Sequence, residues 1–323
     1  MQRGTKSNPY RVLIADNWGA PAHPVMVSKY PNIRFSVYHS VPAVHPHGHM
    51  VADCFCSMID PDVHVDVDFY PYLALQRASQ DGWLNVIAAE AKAGRPYDVC
   101  NCSFGAHHNN DPGWQQHFKS LWQDGTRLRR ARDLIGNTRV VFAAGNQDQS
   151  RRGRPHMGND VNYPQRPLSA LSNVFVIGAC AINSVPSLFS SDGDEVFAMY
   201  WGEGVGIFDP LRGRVVRVNG TSFASPFAAG DLLMLEHELG RPATEDDYLF
   251  HVLNRGTVAD GWVRGDRHRK AGFAAMVEAQ KLRMAQLFPS ADTVTSLTKQ
   301  PLAYFEFDLQ PRKRTIIGRL FGD

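Results

Sequence analysis

The segment from Val215 to Gly230 restricts the fold more than any other part of the chain. A β-branched run, Val215-Val216-Arg217-Val218, meets Asn219-Gly220, which reads as a strand running into a tight turn. Small residues then recur at Ala224, Ala228 and Ala229 and lead into Leu232, Leu233, Met234 and Leu235, a pattern that predicts a buried helix. Ser222 therefore stands where a strand ends and a helix begins. Gly220 lets the backbone bend, and the first helical N–H groups face whatever binds there. Pro226 is expected near the first helical turn, where a missing N–H costs least. Alone, Ser222 reads equally well as a helix N-cap. A nucleophilic serine needs a base, an orienting carboxylate and an oxyanion donor elsewhere in the chain.

Candidates for each exist. Tyr10-Arg11-Val12-Leu13-Ile14-Ala15 is a strand of the buried type expected in a parallel sheet, and it ends on Asp16. An acid at the C-terminal end of a central strand lies where α/β proteins build their sites, although a lone Asp16 also suits a turn. After a second strand-like run, Ile33 to Tyr38, comes Val44-His45-Pro46-His47-Gly48-His49. It opens a helix whose Val51, Cys54, Phe55, Met58 and Ile59 share one face. Helical patterns follow at 83–93 and 114–133, the second carrying Arg127, Arg129, Arg130 and Arg132 on a solvated face. Buried strands are expected at Tyr97–Cys102, Arg139–Ala143 and Val174–Ala179, the first running into Ser103-Phe104-Gly105 and the second into Ala144-Gly145-Asn146.

Gly220-Thr221-Ser222-Phe223-Ala224-Ser225-Pro226 resembles the nucleophile box of the subtilisin-like serine proteases, the subtilases. Asp16 matches the first catalytic box, with Asn17 and Trp18 standing before Gly19 where the family has Ser or Thr and then Gly. In the second box His47, Gly48, Val51 and Ala52 match. His49 replaces the usual Thr, Met50 the second His and Asp53 the usual Gly. Asn101-Cys102-Ser103-Phe104-Gly105 is similar to the Asn-x-Ser-x-Gly segment that lines the primary specificity pocket, with Phe104 in place of Leu. Ala143-Ala144-Gly145-Asn146 is similar to the oxyanion box. Phe189-Ser190-Ser191-Asp192-Gly193 and Ala271-Gly272-Phe273, with a helix around Val277, Ala279 and Leu282, extend the resemblance over residues 10–285.

The resemblance implies an α/β, three-layer subtilisin-like fold with a mostly parallel central sheet flanked by helices. It implies a peptidase domain over residues 1–285, with a short polar lead at 1–9, and a C-terminal extension at 286–323 holding a strand-like Ala303–Phe307. It also implies a serine endopeptidase in which Ser222 attacks, His47 is the base, Asp16 holds the imidazole and Asn146 helps to bind the oxyanion of an acyl-enzyme reaction. Ser103, Phe104, Gly105, Ala143, Ala144 and Gly145 would frame the substrate pocket, with a medium-sized apolar or aromatic residue before the scissile bond as the default preference.

Three other readings compete. His45, His47 and His49, with His64, Asp66 and Asp68, offer donors for a zinc hydrolase, but an H-x-H-x-H run rarely presents three tetrahedral ligands unaided. The alternation in Val63–Phe69 suits the solvated face of an edge strand better. An esterase elbow at Ser222 with Asp260 and His268 leaves the other boxes unexplained, and the order Asp16, His47, Ser222 is that of subtilisin. A catalytically inactive, peptide-binding subtilase is the third, motivated by the unusual neighbours of Asp16 and His47.

No metal site is assigned and no cofactor is required. The family often binds structural calcium, for which no ligand set is recognisable here. The 34 basic and 32 acidic residues leave a net charge of +2, too little field to imply nucleic acid. The expected partners are a protein or peptide substrate and a regulatory or substrate protein. No membrane partner is expected, and Arg264-Gly265-Asp266 is assigned to chance. With no signal peptide, propeptide or membrane span seen, and five cysteines in apolar surroundings, a cytoplasmic enzyme with reduced thiols is expected.

Overall fold

Strand β1 (Tyr10–Asp16) is apolar from Val12 to Ala15, and all four of these side chains are fully buried, so it needs cover on both faces. A computed structural model of the chain describes residues 3–18, 20–38, 40–41, 45–71, 82–105, 125–146, 161, 164–181, 187–191 and 195–255. In it β1 lies inside a seven-stranded sheet with β2 (Ile33–Val37), β3 (Val65–Pro71), β4 (Val99–Cys102), β5 (Arg139–Ala143), β6 (Val174–Cys180) and β7 (Val196–Trp201). The order is β2-β3-β1-β4-β5-β6-β7, and every neighbouring pair is parallel.

Alternation along β1 divides the two apolar layers. Val12 and Ile14 pack with Val51, Ala52 and Phe55 of α2 (His47–Cys56) and with Leu232 and Leu233 of α6 (Thr221–Leu239). Leu13 and Ala15 pack with Trp83, Leu84 and Ile87 of α3 (Gly82–Lys92) and with Ala131 and Ile135 of α4 (Thr126–Ile135). The helices α1 (Pro24–Lys29), α5 (Gln165–Leu168) and α7 (Glu245–Arg255) complete those described. The three-layer expectation agrees with this arrangement.

Some local expectations are corrected and others gain detail. β3 lies between β2 and β1, so it is no edge strand, and its polar face is engaged in ion pairs: Arg34 holds Asp66, and Arg11 holds Asp68. The β-branched run before the nucleophile box is β9 (Arg214–Asn219), which pairs antiparallel with β8 (Glu203–Asp209) outside the main sheet. Val216 and Val218 face the core while Val215 is exposed, as the period of two requires. Pro226 is the sixth residue of α6, not part of its first turn. The polar lead is tied down, since His64 N donates to Gly4 O and Arg3 pairs with Asp98.

The expectations for residues 256–323, including the esterase pair Asp260 and His268, the closing helix and the C-terminal extension, lie outside the described residues. So do Gly19, Asp192, Gly193 and the first half of the helix expected at 114–133.

Candidate active site

Because β1, β4 and β5 are parallel neighbours, their last residues Asp16, Cys102 and Ala143 lie along one edge of the sheet, where ligands bind in open α/β folds. Helices α2 and α6 begin at that edge.

Asp16 is 3% exposed, and its Oδ1 lies 2.6 Å from Nδ1 of His47, the first residue of α2. The Asn17 N–H donates to the same oxygen at 2.6 Å. A carboxylate facing Nδ1 assigns the ring proton to that nitrogen and leaves Nε2 as the acceptor. Burial alone would lower the His47 pKa, but the charge of Asp16 and the hydrogen bond to it prevail and raise it above 6.5. Gly48 permits this approach of helix to strand: a Cβ there would lie 2.8 Å from Trp18 Cβ and 3.0 Å from Asp16 Cβ.

Ser222 is the second residue of α6 and half-buried. The neighbouring Phe223 ring lies 5.3 Å from the His47 ring. Ser222 Oγ donates to the Ser103 carbonyl at 3.3 Å rather than to the imidazole. In return Ser103 Oγ donates to the Ser222 carbonyl at 2.9 Å. That carbonyl needs an outside donor, because the residue four places on is Pro226, which has no N–H to complete the helical bond. Asn101 Nδ2 and Ser225 Oγ hold the Ser103 hydroxyl at 2.9 and 3.0 Å.

Asn146 follows β5, and its side-chain orientation is fixed. Oδ1 accepts from Thr221 N at 2.8 Å and from Thr221 Oγ1 at 3.1 Å. Nδ2 is therefore turned toward the start of α6, where a Cβ on Gly220 would lie 3.4 Å from it. Thr221 Oγ1 also accepts from Gly145 N at 3.2 Å, which joins the end of β5 to the nucleophile helix.

Of the proposed pocket residues, Ser103, Ala143, Ala144 and Gly145 are buried, Phe104 is half-buried and Gly105 is exposed. Gln165 joins the two segments by donating to Phe104 O and Ala143 O. Spacing did not single out Gln165, and it placed Thr221 in the nucleophile box without a role of its own. The alternation of Asn101 and Ser103 on one strand face is the signal that was present for their pairing.

The six residues of the zinc reading do not converge. His47 faces Asp16, Asp66 and Asp68 are engaged by arginines, and His49 packs edge-on to Trp18 at 5.2 Å. No cluster of three His, Cys, Asp or Glu side chains suited to a metal occurs among the described residues. No described helix is long and apolar enough to cross a membrane.

The sequence pattern of the subtilase family, peptidase S8, matches residues 42–251, which is more than half of the chain. The chain belongs to the subtilase family. It is thus a subtilisin-like serine peptidase, acting on peptide or protein. The match spans the segments of His47, Asn146 and Ser222 and begins after Asp16, so for Asp16 the geometry stands by itself. No curated protein matches this subtilase. Among solved structures, a lanthipeptide protease is similar to it at 19% identity and a TM-score of 0.50, covering 78% of this chain and 82% of that one. The patellamide maturation protease PatA is similar at 23% identity and a TM-score of 0.49, covering 79% and 88%. The MycP3 protease of the type VII (ESX-3) secretion system is similar at 19% and 0.48, covering 79% and 77%. At these identities the first likeness speaks for the fold alone.

Proposed function

We propose that this subtilase is a serine endopeptidase working through Asp16, His47 and Ser222 with an acyl-enzyme intermediate. The observation that carries the reading is the 2.6 Å contact between Asp16 Oδ1 and His47 Nδ1, on the sheet edge where α6 presents Ser222. His47 Nε2 takes the proton of Ser222 Oγ as that oxygen attacks the scissile carbonyl, and Asp16 stabilises the imidazolium that forms. Asn146 Nδ2 and the Ser222 N–H bind the oxyanion, and each such donor is worth about 10²–10³ in kcat. Nε2–H then protonates the leaving amine. Water, deprotonated by His47, releases the acyl group. The hydrogen bond from Ser222 Oγ to Nε2 belongs to the substrate-bound enzyme, since such bonds commonly form or tighten only then.

Residues 103–105 and 143–145 frame the pocket for the residue before the scissile bond, and the backbone of the first segment pairs with extended substrate. Five free, buried cysteines support a reducing, intracellular workplace. Dedicated processing of one peptide or protein partner is part of this proposal. Incubation with candidate precursor peptides, read by mass spectrometry against a Ser222→Ala control, tests this: one cleavage site in one precursor supports it, and indiscriminate digestion of casein contradicts it.

A further inference from the structure

Gln165 takes no part in the triad, yet it is fully buried between the two segments proposed to frame the pocket. Strands β4 and β5 pair as far as Cys102 and Phe142. Just beyond, Gln165 Nε2 spans the gap, donating to Phe104 O at 2.6 Å and to Ala143 O at 3.0 Å. Both amide protons are thereby used. The two carbonyls also fix the amide's orientation, because the flipped group would set oxygen against oxygen. Oε1 is turned away from them, is buried, and accepts no hydrogen bond among the described residues. A buried acceptor without a donor is costly, and a binding site is where an incoming donor removes that cost.

The two carbonyls belong to the segments that frame the pocket on the reading above, and this inference rests on that reading. On the same reading the half-buried Phe104 is one wall, and its ring is held by Trp83 at 6.2 Å and Phe142 at 6.0 Å. We infer that Gln165 Oε1 is the polar recognition point of this pocket. It selects substrates whose residue before the scissile bond ends in an uncharged hydrogen-bond donor, a phenol or a carboxamide. An ammonium group buried against one neutral acceptor would lack compensation, so neutral donors are favoured over cations. The aromatic default expected from sequence is thus kept in body and changed at its tip.

The test measures how well peptide aldehydes protect Ser222 from a fluorophosphonate probe. The aldehydes are identical except for their last residue, tyrosine against phenylalanine and glutamine against methionine. The donor-bearing member of each pair should protect at a concentration roughly 10- to 100-fold lower. Gln165→Leu should collapse that ratio. Equal protection by both members with wild type overturns the inference, as does an unchanged ratio in a folded Gln165→Leu. If the variant does not fold, the wild-type ratio decides alone. Absence of any labelling at Ser222 in folded wild type instead overturns the functional reading and this inference with it.

Discussion

Ser103 and Ser222 are hydrogen-bonded to each other twice, each hydroxyl donating to the other's carbonyl, at 2.9 Å from Ser103 Oγ and 3.3 Å from Ser222 Oγ. The first of these bonds replaces the helical bond that Pro226 cannot make. Ser103→Ala should therefore leave a part-buried carbonyl without this donor, costing about 1 kcal/mol of stability. It should also lower kcat, because the nucleophile's turn loses its anchor. Pro226→Ala restores an N–H at the right place, so in a double-mutant cycle it should recover part of the Ser103→Ala loss. Strictly additive effects on thermal melting would show that the two residues do not share this carbonyl.

Asp16→Asn should lower kcat by about 10⁴, by removing the carboxylate that fixes the His47 tautomer. The same contact raises the His47 pKa, so the acid limb of kcat/KM should lie above 6.5. In Asp16→Asn, burial acts without the carboxylate and the limb should move down. A pH–rate profile of residual activity reads both effects.

Asn146→Ala should lower kcat about 10²–10³-fold with little change in KM, because the amide acts on the oxyanion and not on the ground state. A comparable loss in KM would place Asn146 in substrate binding instead.

His49 is 1% exposed, and neither ring nitrogen has a hydrogen-bond partner among the described residues. Burial pushes its pKa from 6.5 down to about 4, so the unfolded chain binds its proton first as pH falls. Its contribution to stability is present above pH 6.5 and is lost as pH falls to about 4, by about 3 kcal/mol in all. The raised pKa of His47 acts in the opposite sense, favouring the fold below pH 6.5 and losing that contribution as pH rises through the raised value. Between pH 7 and 4 the melting temperature of wild type should fall more steeply toward acid than that of His49→Leu. Parallel curves would contradict the assignment.

Much of the site was legible because each motif sits at a junction of elements. Asp16 closes a strand, His47 opens a helix, and Ser222 lies two residues past the Gly that separates a strand from a helix. Apolar runs such as Val12–Ala15 identified the buried sheet, since only a strand covered on both faces omits polar alternation. β3 was misjudged as an edge because its polar alternate residues are paired with arginines from its neighbours, and ion pairs across strands leave no periodic signature. Gln165 was not legible at all, and Thr221 was legible only as a member of the nucleophile box, not as a partner of Asn146 and Gly145. Their roles depend on carbonyls and amides from strands distant in sequence.

The most direct test is fluorophosphonate labelling of folded wild type, Ser222→Ala and His47→Ala, each followed by mapping of the labelled peptide. Labelling of wild type at Ser222 alone, abolished in Ser222→Ala and reduced by orders of magnitude in His47→Ala, is the expected result. Folded wild type that takes no label, or labelling that persists unchanged in His47→Ala, would contradict the assignment of Ser222 as a nucleophile activated by His47.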